Sequence, residues 1–208
     1  MKRRQSRTGK RGGSLVESLE PRQLLSASLL SAIGFGSASS WGTSITGMGT
    51  DSAGNIVVVG YFQGTMDVDP SIGVQNIVSS GSYNYDIYLM KYTPAGDLLW
   101  VKTLNSTNNE MAGGILIDSH DNILLTGSFS GTLDVDPGAG VFNLTSAGGS
   151  DAMVAKYDPN GNFVWAKSFG GSGDDTSAKI VSDHKSSDGY IITGNFQNTA
   201  DLDPGTAS

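Results

Sequence analysis

Cysteine is absent from the 208-residue chain. Its absence excludes disulfide bonds, thiolate metal sites and a cysteine nucleophile. The cellular compartment stays open on this ground alone, because an exported domain with adequate β-sheet packing does not need disulfide bridges.

Basic side chains are scarce beyond the first 27 residues. Residues 1–27 hold seven Lys and Arg against two Glu, a net charge of +5, whereas the rest has six Lys against eighteen acids, a net charge of −12. Glu110 is the only Glu among those eighteen. So acidic a body repels nucleic-acid phosphates and anionic membrane surfaces. We therefore expect no nucleic-acid partner.

Long apolar runs are also missing. The most apolar stretch near the N-terminus, Leu24 to Ala38, contains several Ser and one Gly pair flanking Phe35. It covers about 15 residues, whereas a transmembrane helix needs about 20 that are predominantly apolar. The sequence therefore predicts no transmembrane span.

Residues 1–33 have the layout of an export segment. A cationic region precedes the apolar stretch, with further charged residues between the two. The sequence LEPRQLLSA at Leu19–Ala27 resembles the LEPR-XLL segment found near the N-terminus of large bacterial secreted or surface proteins. The resemblance implies a secreted or cell-surface location. A disordered basic leader with one amphipathic turn is the alternative.

Self-similarity is the strongest pattern in the remaining chain, residues 34–208. Three segments begin with Gly-Xaa-Phe and end with Asp-Xaa-Asp-Pro, and their glycines, Gly60, Gly127 and Gly194, are 67 residues apart. An apolar strand ending in Lys-Tyr, followed by a Trp-Xaa-Lys strand, occurs twice with a spacing of 65. About two and a half repeats result, near residues 46–104, 112–169 and 178–208.

Each repeat predicts four β-strands, because apolar residues alternate with polar ones and turn residues separate the segments. In the second copy the predicted strands are Gly114–Asp118, Asn122–Phe129, Ala152–Tyr157 and Phe163–Phe169. An extra short hairpin is predicted through Val141–Thr145. No helical period occurs, so the predicted class is all-β. Repeated four-stranded antiparallel units are typical of β-propeller blades. A β-solenoid or a string of hairpin modules is the competing architecture.

The repeat resembles the bacterial β-propeller repeats known as SBBP. The shared features are Asp-Xaa-Xaa-Gly-Asn before a strand ending in Gly-Xaa-Phe, the Lys-Tyr strand and the Trp-Xaa-Lys strand. The resemblance implies a β-propeller-like array of blades, and it implies fold more than function. Propellers close with about four to eight blades, so an incomplete propeller is expected. Three explanations are open: the chain is a fragment of a longer protein, its blades complete a ring with other chains, or its sheets stay open. The fragment is favoured.

Carboxylate pairs recur with the repeat only in Asp-Xaa-Asp-Pro. The members are Asp67 and Asp69, Asp134 and Asp136, and Asp201 and Asp203. Two carboxylates on one side of an extended backbone offer Ca²⁺ two of its six to eight oxygens, which makes these residues candidate calcium ligands. The alternative is a turn in which Asp accepts local N–H groups and Pro sets φ. The turn is favoured, because the EF-hand spacing is absent.

Other chemistry-bearing residues are expected to be structural. His120 and His184 fall in predicted turns, so their side chains are expected to be solvated. Asp174 and Asp175 follow a Gly-rich segment without the Lys-Ser or Lys-Thr of a phosphate-binding loop, which predicts an exposed loop between blades.

Four aromatic residues occupy equivalent repeat positions: Tyr92, Trp100, Tyr157 and Trp165. They are expected to pack between blades rather than to stack on carbohydrate.

These patterns favour a non-catalytic structural or interaction module of a secreted or cell-surface bacterial protein. Its partner would be a protein or polysaccharide that binds loops at one rim, with no cofactor other than possible Ca²⁺. A Ca²⁺-stabilised adhesive or carbohydrate-binding module is one alternative. A fragment of a propeller enzyme acting on polysaccharide is another, and it requires a cluster of acids outside the repeat pattern.

Overall fold

Every regular element in the described part of the chain is a β-strand. The computed structural model describes residues 36–37, 42–81, 83–185 and 189–202. The predicted leader, residues 1–33, lies outside the described residues. In chain order the strands are β1 (Gly36–Ser37), β2 (Thr43–Thr50), β3 (Ile56–Phe62), β4 (Thr65–Asp67), β5 (Asn76–Val78), β6 (Asp86–Tyr92), β7 (Leu98–Leu104), β8 (Glu110–Ile117), β9 (Ile123–Asp134), β10 (Asn143–Tyr157), β11 (Phe163–Gly171), β12 (Thr176–Ser182), β13 (Tyr190–Asn195) and β14 (Ala200–Asp201).

The first repeat forms a four-stranded antiparallel sheet in the order β2-β3-β6-β7. We call this sheet blade 1. Its first turn closes because Asp51 Oδ1 accepts hydrogen bonds from the N–H groups of Ala53 and Asn55, at 3.0 and 2.8 Å. Gly54 in that turn has a φ of 79°, a conformation that glycine adopts without a steric penalty. β2 and β3 therefore pair from the turn outwards, from Thr50 opposite Ile56 to Thr43 opposite Phe62, with a bulge between Ile45 and Gly47.

The second repeat forms blade 2, the strands β8-β9-β10-β11, and β14 adds a fifth strand at its edge. The strands are longer than predicted. The short hairpin expected at Val141–Thr145 continues β9 and β10, because Asn143–Thr145 pairs with Thr132–Asp134 beyond a bulge. The same hairpin in the first repeat is separate and consists of β4 and β5.

The third repeat contributes the two-stranded sheet β12-β13 and the strand β14. β14 pairs with the end of β11, with Gly170 opposite Asp201 and Gly171 opposite Ala200. The pairing of β1 with β4 has the same form, with Gly36 opposite Asp67. The hairpin strand of the third repeat therefore pairs with the last strand of blade 2, which ties these two units together by backbone hydrogen bonds.

Much of the core lies between the units, because β9 and β10 are buried on both faces. A further cluster, which includes Phe62 and Met66, lies within the first repeat. Ile123, Leu125 and alternate residues of β10 pack against blade 1, in one cluster with Val57 and Leu89. Leu124 faces the third repeat and packs in a separate cluster with Ile180. None of the sheets closes on itself in the described residues. The all-β, propeller-like prediction is confirmed, with one four-stranded blade, one five-stranded blade and one half-blade.

Candidate functional site

The first two Asp-Xaa-Asp-Pro segments lie in the β4–β5 hairpin and in the outer part of the β9–β10 hairpin. Asp67 Oδ1 accepts hydrogen bonds from the N–H groups of Asp69 and Gln75, at 3.1 and 2.9 Å. Asp69 Oδ1 accepts one from Ser71 at 2.8 Å. The hydrogen bond from Ser71 holds the pKa of Asp69 below its ordinary value. These carboxylates thus close the loop of the hairpin.

The second repeat reproduces this arrangement. Asp134 Oδ1 accepts N–H groups of Asp136 and Phe142, at 3.1 and 2.9 Å, and Asp136 Oδ1 accepts that of Gly138 at 2.8 Å. In the third repeat, Asp201 lies in β14 and Asp203 lies outside the described residues. The described residues contain no group of three or more Asp, Glu or His close enough to share a metal ion. Calcium binding by these six residues stays a prediction.

The residue between the two aspartates anchors the hairpin to the core. Val68 and Val135 are completely buried. Their carbonyl oxygens accept hydrogen bonds from the hydroxyls of Tyr92 and Tyr157, at 2.9 and 3.0 Å. Burial, together with the nearby Asp69 and Asp67 charges, raises the pKa of Tyr92 to about 12, so the hydroxyl remains a donor.

The tips of the hairpins are exposed and apolar. Ile72 and Val74 lie at the first tip, and Val141, the repeat equivalent of Val74, lies at the second with 72% of its surface exposed. Each of two consecutive repeats therefore presents an exposed apolar tip on a fixed base, which makes the tips candidate contact sites. We call Ile72, Val74 and Val141 the tip residues.

Buried ion pairs connect the turns of each blade with its third strand. Lys91 Nζ lies 2.8 Å from Asp51 Oδ2, and Lys156 Nζ lies 3.0 Å from Asp118 Oδ2. Lys91 also donates to the carbonyl of Pro159 in blade 2, at 2.9 Å. The Lys-Tyr motif therefore supplies a cation that crosses to the next blade, a role that no sequence pattern indicated.

Two pairs of acidic residues are buried where one repeat meets the next. Asp86 and Glu110 form the first pair, and Asp151 and Asp175 form the second. Glu110 N donates to Tyr85 O at 2.7 Å, and Asp175 N donates to Ser150 O at 2.6 Å, so the junctions are equivalent. The exposed loop predicted for Asp174 and Asp175 is wrong for Asp175, because the third repeat covers its carboxylate, which accepts the N–H groups of Gly171 and Gln197.

The predictions for histidine are confirmed. His120 and His184 are exposed in turns, and the Ser119 hydroxyl lies 3.4 Å from His120 Nδ1.

The predicted packing between units is confirmed for Trp100, Tyr157 and Trp165, whereas Tyr92 packs in a cluster within the first repeat. Trp100 packs against the core between blades 1 and 2, and Trp165 packs against the cluster that faces the third repeat. Tyr92 and Tyr157 are buried.

An open, mainly apolar cleft lies between blade 2 and the third repeat. Its lining consists of Ala152, Phe169, Ser177, Ile192, Phe196 and Leu202. The Ser177 hydroxyl contacts the carbonyls of Gly127 and Met153, at 2.8 and 2.7 Å. None of the described residues that line the cleft is titratable, and the Ser177 hydroxyl is held by the backbone.

Comparison with known proteins gives two similar sequences and no matching family model. The Uncharacterized WD repeat-containing protein L264 of Acanthamoeba polyphaga mimivirus is 28% identical over 155 residues, which are 70% of this chain and 11% of that protein. Regulatory protein FlaEY of Caulobacter vibrioides is 27% identical over 96 residues, 46% of this chain and 10% of that protein. The chain spans about a tenth of the length of these curated relatives. The similarity to a WD repeat-containing protein agrees with a β-propeller-like repeat fold.

Proposed function

We propose that the chain is a non-catalytic structural and interaction module of a secreted or cell-surface bacterial protein. The tip residues carry the proposal, since Ile72, Val74 and Val141 are exposed on hairpins whose bases are buried and hydrogen-bonded. A contact surface on a rigid scaffold loses little conformational entropy on binding, which favours recognition of a partner.

The chemistry of the described residues supports a role without catalysis. The cleft beside the third repeat is lined without an acid or a base, and Asp86, Glu110, Asp151 and Asp175 are buried away from any substrate. Glycoside hydrolysis requires two carboxyl groups that flank a bound sugar. The relative named for WD repeats supports the interaction role, because WD repeats build β-propellers.

Export is the second part of the proposal. It rests on residues 1–33, where a cationic region and the LEPR-XLL resemblance precede the repeats. Fractionation of a bacterial host expressing the chain with and without residues 1–33 tests this part. We expect the full chain in the envelope or medium and the truncated chain in the cytoplasm, whereas cytoplasmic retention of both would contradict export.

Binding through the tip residues is tested with a triple variant, Ile72→Ser, Val74→Ser and Val141→Ser. The matched control is Val181→Ser with Ile191→Ser, which removes two exposed aliphatic side chains from the third repeat. The probes are a bacterial cell-surface protein fraction, read by cross-linking, and a polysaccharide array. We expect the tip variant alone to lose at least tenfold in binding. Equal binding by both variants would reject the tip surface, and release of reducing sugar from an array polysaccharide would reject the non-catalytic role.

A further inference from the structure

Asp86 and Glu110 bring two carboxylates together inside the joint between blades 1 and 2. Asp86 begins β6 of blade 1, Glu110 begins β8 of blade 2, and both side chains are completely buried. The two carboxyl groups lie close enough that each affects the pKa of the other. The backbone fixes this approach, because Glu110 N donates to the carbonyl of Tyr85, the residue before Asp86.

The atoms around this pair are mainly oxygens. Ser80 Oγ lies 3.0 Å from each carboxylate oxygen of Asp86 and contacts the carbonyl oxygen of Ser106. Ser106 Oγ lies 2.5 Å from Glu110 Oε1. Four residues thus contribute seven oxygens, namely four from carboxylates, two from hydroxyls and one from a carbonyl. Ca²⁺ takes six to eight oxygen ligands of these types.

The negative charge of the pair has no counterpart in the described residues. Glu110 Oε2 is buried and has no hydrogen-bond partner. The ion pairs seen among the described residues join Lys91 to Asp51 and Lys156 to Asp118, and neither involves Asp86 or Glu110. Burial of a charge is costly unless an ion of opposite sign accompanies it. Burial, and then the Asp86 charge, raises the pKa of Glu110 to about 7.

The equivalent joint between blade 2 and the third repeat is built differently. Asp175 Oδ2 accepts the N–H of Gly171 at 2.8 Å, and Asp175 Oδ1 accepts that of Gln197 at 2.7 Å. Asp151 Oδ2 accepts the N–H of Ala147, and Asp151 Oδ1 has no partner. Backbone N–H groups stabilise an anion but cannot ligate a cation. The first joint also has one such contact, from Ser80 N to Asp86 Oδ2. Of the two joints in the described residues, only the first adds side-chain hydroxyls to the paired carboxylates.

We propose that Asp86 and Glu110, with oxygens of Ser80 and Ser106, bind a Ca²⁺ ion that joins blade 1 to blade 2. Ca²⁺ fits better than Mg²⁺, because Ca²⁺ accepts irregular coordination by six to eight oxygens, whereas Mg²⁺ demands near-ideal octahedral geometry. This site is distinct from the Asp-Xaa-Asp-Pro carboxylates, which lie at the hairpin loops and accept backbone N–H groups. The ion would hold the blades together by binding residues of both.

Thermal unfolding of the full chain after EDTA treatment, with CaCl₂ or MgCl₂ added back, tests the proposal. The test variant carries both Glu110→Gln and Asp86→Asn, which keep side-chain shape and remove charge. The matched control carries both Asp175→Asn and Asp151→Asn at the second joint. A free Ca²⁺ concentration about 100-fold above Kd raises Tm by roughly 5–10 °C for a chain of this size. We expect Ca²⁺ to produce this shift in the wild type and in the control variant, but not in the variant with Glu110→Gln and Asp86→Asn.

Calorimetric titration of the full chain with CaCl₂ provides a readout that does not depend on unfolding. One Ca²⁺ per chain, lost in a folded Glu110→Gln variant, supports the site. An unchanged Tm and no binding heat at millimolar Ca²⁺ would overturn it, as would an equal response of the Glu110 variant. Stabilisation by acid alone, without any response to Ca²⁺, would also overturn it and would show that the carboxylates share a proton instead.

Discussion

Lys91 Nζ lies 2.8 Å from Asp51 Oδ2 in a contact whose two side chains are only 7% and 5% exposed. Lys156 and Asp118 repeat the contact in blade 2 at 3.0 Å. Each pair joins the first turn of a blade to its third strand. Because Lys91 also reaches the carbonyl of Pro159, the pair belongs to the interface between blades as well as to the turn.

Substitution of Asp51 tests the ion pair. Asp51→Asn retains an oxygen for the turn hydrogen bonds but leaves the Lys91 ammonium buried without its carboxylate, so we expect a loss of about 3 kcal/mol in the free energy of unfolding. Urea denaturation followed by circular dichroism measures it. The control is Asp97→Asn, in an exposed turn with a local bond to Thr93. A loss no larger than that of the control would show that the pair contributes little.

The stability of the chain should fall at acid pH. Burial alone would raise the pKa of Asp51 and of Asp118, but hydrogen bonds from asparagine and lysine outweigh it and lower both pKa values to about 2. A carboxyl with a lowered folded pKa stabilises the fold above its ordinary pKa, and this contribution is lost as the pH falls through the folded pKa. Denaturation between pH 4 and 2 should therefore show declining stability, and the double variant Asp51→Asn with Asp118→Asn should flatten this decline.

The raised pKa of Glu110 predicts that its contribution to the stability of the metal-free protein has the opposite pH dependence. Its pKa rises from 4.5 to about 7, first through burial and then through Asp86. The folded chain therefore binds a proton more tightly than the unfolded chain, and stability decreases by about 3 kcal/mol as the pH rises from 4.5 to above 7. Chemical denaturation in EDTA measures the slope. An identical slope in Glu110→Gln would assign the effect to other groups.

The tyrosine hydroxyls that anchor the hairpins can be removed singly. Tyr92→Phe leaves the buried carbonyl of Val68 without its donor, and Tyr157→Phe does the same to Val135. Each change should cost about 1–2 kcal/mol and accelerate amide exchange of the affected valine. Tyr83→Phe, at a side chain that is 79% exposed, is the control. Unchanged exchange would show that the hydroxyl does not hold the hairpin.

Glycine recurs at Gly60, Gly127 and Gly194 because the backbone of the neighbouring strand leaves no room for a Cβ atom. A Cβ added to Gly127 would lie 2.4 Å from the carbonyl oxygen of Met111, and the equivalent positions at Gly60 and Gly194 are closer still to a carbonyl oxygen. Gly127→Ala must displace a paired strand, so we expect at least 2 kcal/mol of destabilisation. Ser130→Ala in the same strand is the control. Equal melting temperatures for the two variants would contradict this explanation.

The 67-residue glycine spacing and the alternation of apolar residues determined the class, the repeat and the blade-like strands without reference to any structure. The alternation and the turn chemistry are local properties that act within a few residues along the chain, and the glycine spacing shows that the same local pattern recurs. The burial of Trp100 and Tyr157 also followed from their equivalent repeat positions.

Only the tertiary structure decided the environment of the acids. Glu110 and Asp175 occupy sequence surroundings typical of loops, yet the packing of one repeat on the next buries both completely. The pairing of β14 with β11 and the crossing of Lys91 to Pro159 likewise join residues from different repeats. Periodicity specifies which face of a strand is apolar, whereas the charge and hydrogen-bonding partners at a joint depend on which unit covers it.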